Sequence, residues 1–270
     1  MIIDTHVHVY PPKISKKAVA HIGEFYKLTM QSDDGCIDEY LRQAKLTQTS
    51  VALITSVATT PMQVGRINSF LLRTIEEAKE IEGNNCVMYP LATLHPDLSD
   101  EELKFELKVT KENGFIGYKL HPDFQEFALD GERAFRIFEG LDGTMPVLVH
   151  AGDNRKSFSN PKRVAALAKA FPHITIIAAH MGGWSEWDDV GVYDNLSNVM
   201  FDTCSTLGFI TPERALGIIK HFGAERFLYG TDFPMWNLKE EIERFNKLPL
   251  TETEKTLILS ENAKKLYRLQ

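Results

Sequence analysis

The residues best suited to chemistry in this chain are its histidines. The first ten residues read Met-Ile-Ile-Asp-Thr-His-Val-His-Val-Tyr, an apolar, β-branched run that carries His6 and His8 one residue apart. Alternate side chains of a strand share a face, so both imidazoles would project together with Asp4 behind them. Two adjacent imidazoles make a clamp for a metal ion; the same pair could equally be ordinary core or surface histidines, and the rest of the chain has to decide. Of nine histidines, only His21, His173 and His221 lie away from the ends of short apolar runs. His6, His8, His95, His121, His150 and His180 sit at such ends, as do Asp202, Cys204 and Asp232, while Lys119 stands within Gly-Tyr-Lys-Leu-His-Pro. Taken singly, each has a structural role open to it: a hydrogen-bonded turn histidine, a helix-capping aspartate, a lysine in a buried ion pair. Taken together, three or four imidazoles and one carboxylate form the ligand set of zinc or a related divalent ion, with a position left for water.

Such residues converge only if the elements carrying them do. Short, nearly continuous apolar runs predict strands at residues 1–10, 50–59, 87–94, 115–120, 147–150, 174–180, 199–203 and 227–231. Helical spacing predicts helices at 37–46, 64–81, 99–113, 132–141, 161–171, 211–221, 238–247 and 253–266, with a short one in 184–195. Ser99 with Glu102 forms a capping-box pattern, and Asn160 before Pro161 marks another helix start. Residues 11–34, with adjacent prolines and several lysines, read as a long loop containing one helical turn. Strands alternating with helices require a parallel sheet buried on both faces, and eight such units fit the size of an α/β (β/α)8 TIM barrel. A doubly wound sheet would want a Gly-rich phosphate turn after the first strand, and none is present. No linker divides the chain, so one domain is expected over residues 1–270.

Composition excludes several function classes. With 43% hydrophobic and 25% charged residues and a net charge of −7, the chain lacks the basic footprint that nucleic acid requires. No positive leader or apolar run of about 20 residues predicts a signal peptide or membrane span. Three cysteines at unrelated spacings suggest free thiols in a reducing compartment. The expectation is a cytoplasmic enzyme acting on a small molecule, with a homodimer left open.

The Asp-Thr-His-Val-His start, His150 in Val-Leu-Val-His-Ala-Gly, His180 in Ala-Ala-His-Met-Gly-Gly and Asp232 in Tyr-Gly-Thr-Asp-Phe-Pro resemble, in that order, the amidohydrolase superfamily. The detail is similar to the amidohydrolase-related branch that includes aminocarboxymuconate semialdehyde decarboxylase, aromatic-acid decarboxylases and lactone hydrolases. The resemblance implies that His6, His8, His150 and Asp232 bind one metal, zinc in the first instance and manganese as an alternative. It implies that His180 stands beside the metal water as acid or base, with Asp232 orienting that water and accepting its proton. In the two-metal branch a strand-four lysine is carboxylated and bridges two ions, which keeps a second metal at Lys119 open; a substrate contact for Lys119 is the preferred reading. Hydrolysis of an ester, lactone or amide is the expected reaction, with non-oxidative decarboxylation as the alternative. His121 is a further candidate for the substrate or a second metal, and Arg155 is a candidate for a substrate carboxylate through its planar fork, with a surface salt bridge as the equal alternative. Trp184, with Trp187, Trp236, Tyr10 and Phe233, would wall the pocket for a planar or aromatic substrate or simply pack the loops. Asp4 would support a ligand histidine or cap the barrel floor.

Overall fold

The apolar runs pair side by side in chain order. They form β1 (Ile2–His8), β2 (Thr49–Thr55), β3 (Val87–Thr93), β4 (Gly117–Leu120), β5 (Val147–Val149), β6 (Ile176–Ala178), β7 (Val199–Asp202) and β8 (Phe227–Leu228). Every neighbouring pair is parallel. This computed structural model describes residues 1–269, and it is the expected (β/α)8 TIM barrel. The seam between β8 and β1 is closed largely by loop contacts. The amide of Thr5 donates to Tyr229 O at 2.9 Å, that of His8 to Phe233 O at 2.8 Å, and that of Asp232 to His6 O at 2.8 Å.

Helices α1 (Ser15–Tyr26), α2 (Ile37–Thr47), α3 (Val64–Lys79), α4 (Asp100–Glu112), α5 (Pro122–Gln125), α6 (Glu132–Glu139), α7 (Pro161–Ala170), α8 (Pro212–Phe222) and α9 (Leu238–Asn246) surround the strands. The Ser99 capping box and the Asn160 cap form as expected. Between strands and helices lies the main apolar core; a second cluster, Ile3, Leu53, Leu91, Leu148, Ile177 and Leu228 with Tyr267, joins residues from across the sheet.

Two of the expected elements differ. Residues 11–34 are not chiefly loop, because α1 is a helix of 12 residues. It buries Val19, Gly23 and Tyr26, a stripe at helical spacing, while its lysines face water and mask that stripe in the sequence. Predicted strand 227–231 is also shorter, ending at Leu228, because the chain turns there to carry Asp232 back over β1.

Candidate metal centre and active-site pocket

At the end of β1, His6 and His8 point their Nε2 atoms at each other, 3.2 Å apart. Asp232 Oδ1 lies 3.6 Å from the first and 3.4 Å from the second. Asp232 reaches this position from a left-handed backbone with φ 57°, and His180 is held likewise at φ 61°. Such conformations cost of order 1–2 kcal/mol for residues other than glycine. Three donor atoms at these separations lie within about 0.2 Å of the edges of a coordination shell with bonds of about 2.1 Å, which are roughly 3.0–3.4 Å long. Two imidazoles and a carboxylate are also the donor chemistry of a zinc-class site, so the residues fit a divalent ion. Ser205 Oγ donates to Asp232 Oδ2 and itself accepts from Trp236 Nε1 at 2.7 Å, fixing the carboxylate.

The electrostatics keep the donors available. Burial, reinforced by the Lys119 amine, pushes His6 down from its ordinary 6.5 to about 4, and burial also lowers His8 and His180. Burial would raise Asp232, but the neighbouring His6 and His8 imidazoles hold it well below the usual carboxylate range. Lys119, fully buried, sits with Nζ 2.8 Å from His6 Nε2; burial lowers its pKa against the pull of Asp232 and Asp202.

The remaining histidines take different places. His150 contributes no nitrogen to a metal-ligand group among the described residues; its Nδ1 lies 3.0 Å from His180 Nε2, and its ring stacks on His121 at 4.1 Å. Its Nε2 is buried without a hydrogen-bond partner. Of the four expected ligands, His6, His8 and Asp232 are brought together, and His150 is turned to His180. His121 Nε2 meets the Tyr26 hydroxyl at 2.8 Å. Asp202, which in the sequence reads as a cap, instead meets His6 Nδ1 with Oδ2 at 2.8 Å and accepts from the His180 amide with Oδ1 at 2.7 Å. Asp4 supports His6 through the backbone, its Oδ1 accepting from the His6 amide at 3.3 Å, and contacts no imidazole ring. It accepts from the Thr231 amide at 2.9 Å, the Thr231 hydroxyl at 2.6 Å and the Tyr40 hydroxyl at 3.2 Å, joining β1 to the segment that carries Asp232.

These groups floor a cavity of about 220 Å³. Its upper walls are apolar, with Ile22, Met30, Val57, Phe124 and Met235, and Lys119 is the single lysine or arginine among the described residues lining it. Arg155 and Trp184 lie outside this lining. Arg155 spends its fork on Asp153, at 2.9 and 2.7 Å, and on Phe25 O at 2.9 Å, while packing over the rings of Phe25, Tyr26 and Trp184. Trp184 sits edge-on to Tyr26 behind the wall. Trp187 and Trp236 likewise brace the site: Trp187 Nε1 donates to His180 O at 2.9 Å. Of the expected aromatic walls, Tyr10 does line the cavity, whereas Phe233 is buried against Tyr40. Gly152, at φ +83°, passes so close to Trp184 that a Cβ would come within 2.5 Å of its amide nitrogen. The sequence did not single out Ile22 and Tyr26, because the helix that brings them to the mouth is hidden in an apparent loop, nor Met30 in the segment that follows it.

A family model described as Amidohydrolase matches residues 3–269. No curated protein matches the sequence significantly. Among solved structures, an uncharacterised TIM-barrel protein from Bordetella bronchiseptica is similar, with 17% identity, 99% of this chain and 98% of that chain covered, and TM-score 0.80. A dihydroxybenzoic acid decarboxylase from a Polaromonas species, with bound manganese and the inhibitor 2-nitroresorcinol, is 16% identical, with 99% and 97% coverage and TM-score 0.72. A probable 2-pyrone-4,6-dicarboxylic acid hydrolase from Acinetobacter baumannii, with citric acid bound, is 17% identical, with 99% of both chains covered and TM-score 0.69. No helix among the described residues is long and apolar enough to cross a membrane.

Proposed function

This chain belongs to the amidohydrolase family, and we propose that it is a metal-dependent hydrolase of a small ester, lactone or amide bearing a single carboxylate or a ring. The convergence of His6, His8 and Asp232 on the floor of the cavity, with His180 beside them, carries this reading. A divalent ion there, zinc in the first instance, supplies Lewis acidity and brings the pKa of water from ~15.7 towards ~7. The chain's own groups do the rest. Asp232, kept ionised, orients the nucleophilic water and takes its proton at a carboxylate oxygen; His180, kept neutral, polarises the substrate carbonyl or returns a proton to the leaving group. His150, with Nδ1 against His180 Nε2, fixes that ring. Lys119 is the one amine among the described residues available to a substrate carboxylate, so a monoanion fits better than a dianion.

Decarboxylation is the second reading, favoured by the apolar walls, which suit an unsaturated ring and leave His180 to protonate a ring carbon. Metal-loaded protein incubated with lactones, esters, amides and aromatic acids separates the two. Release of acid without carbon dioxide supports the hydrolase, and carbon dioxide release with no carbonyl cleavage assigns the decarboxylase. Activity that survives exhaustive chelation would remove the metal from either mechanism.

A further inference from the structure

On the far side of the His6 ring from His8 lies a second group of donors. Cys204 Sγ stands 3.1 Å from His6 Nδ1, 3.3 Å from His180 Nδ1 and 3.1 Å from Asp202 Oδ1. Asp202 Oδ2 is 2.8 Å from His6 Nδ1, and one ligand atom from each of the four residues lies within 4.8 Å of all the others. All four residues are buried, with exposures of 0–3%. A thiol has a single proton, yet two ring nitrogens and a carboxylate oxygen crowd this sulfur. Hydrogen bonds place each proton, His6 Nδ1 on Asp202 Oδ2, His180 Nδ1 on the Cys204 carbonyl at 3.3 Å and the thiol on Asp202 Oδ1, and leave over the further convergence of both ring nitrogens on the sulfur. It suits a cation, since donors around tetrahedral zinc with one sulfur lie roughly 3.3–3.7 Å apart, a few tenths of an ångström wider than here.

We propose that Cys204, Asp202, His180 and His6 form a second divalent-ion site, softer than the first and suited to zinc, cobalt or cadmium. The thiol proton and the proton held between His6 Nδ1 and Asp202 pass to solvent as the ion binds, leaving a thiolate and, when both sites fill, an imidazolate of His6 shared between them. The path in runs from the cavity, which His6 and His180 both line. This assignment goes beyond the first site and separates from it cleanly, because His8 belongs only to the first and Cys204 only to the second.

The test is titration of metal-free protein with cobalt(II), counting bound ions by equilibrium dialysis and following the thiolate-to-cobalt charge-transfer band in the near ultraviolet. Wild-type protein should take up two ions per chain and show the band. His8→Ala should take up one and keep the band; Cys204→Ser and Cys204→Ala should each take up one and lose it. No band in wild-type protein, or equal ion counts in wild type and Cys204→Ser, overturns the proposal. A single band-free ion that His8→Ala abolishes would sink the second site and leave the proposed function standing. A single ion whose band survives in His8→Ala would do the reverse.

Discussion

At the scale of single residues, the floor of the cavity divides labour between groups that would hold an ion and groups that would move protons. His8→Ala and Asp232→Ala should each strip the first-site ion and abolish turnover. His180→Ala should keep that ion and lose roughly 10²–10⁴-fold in kcat; metal counting beside steady-state kinetics checks both, and loss of the first-site ion from the His180 variant would reverse the assigned roles. The environment also sets a pH range. His6 titrates near 4 rather than 6.5, so protons compete for its nitrogen only in more acid solution, and Asp232 stays ionised throughout. First-site ion content in Cys204→Ser should therefore fall on dialysis at a lower pH than in a site of ordinary imidazoles, where protons begin to compete near 6.5. The histidines were legible in the sequence because strand ends expose them. Asp202 was not, because an aspartate after a strand looks the same whether it caps a helix or grips an imidazole 196 residues away in the chain.

At the scale of elements, α1 lies across the barrel mouth and supplies Ala18, His21, Ile22 and Tyr26 to the cavity. Arg155 secures its C-terminal end through Phe25 O and the Phe25 and Tyr26 rings. Arg155→Ala should therefore cost about 1–3 kcal/mol of stability, by loss of these contacts and exposure of the Asp153 charge. It should also raise KM for neutral and carboxylated substrates by the same factor, as denaturant melts and paired kinetics will show. A selective loss for carboxylated substrates would restore the direct carboxylate contact expected from the sequence. The chain signals α1 weakly: a helix whose apolar stripe meets a cavity rim rather than a deep core needs few large apolar residues, and exposed lysines dilute them.

At the scale of the whole molecule, barrel closure and site assembly are one event. Asp4 ties β1 to Thr231, and the next residue, Asp232, then donates its amide to His6 O. Burial raises Asp4 from 3.8 to about 7. The folded state thus holds a proton that the unfolded chain gives up, and the contribution of Asp4 to stability, full below about 3.8, is lost as pH rises towards 7. Asp4→Asn, neutral at every pH, should destabilise the protein at pH 5 and do so less at pH 8; equal losses at both would refute this account. What the sequence determined by itself was the alternation of buried strands and helices, and hence the barrel and the strand ends on which its polar residues stand, because periodicity and burial are local properties of the chain. What only the tertiary structure decided was which of those residues meet: His6, His8 and Asp232 as one cluster, Asp202 and Cys204 behind His6, His150 turned to His180, Arg155 drawn into the scaffold. Those pairings depend on loop paths and on left-handed backbone at His180 and Asp232. Such conformations go against the residues' own preferences and are held only by the surrounding packing.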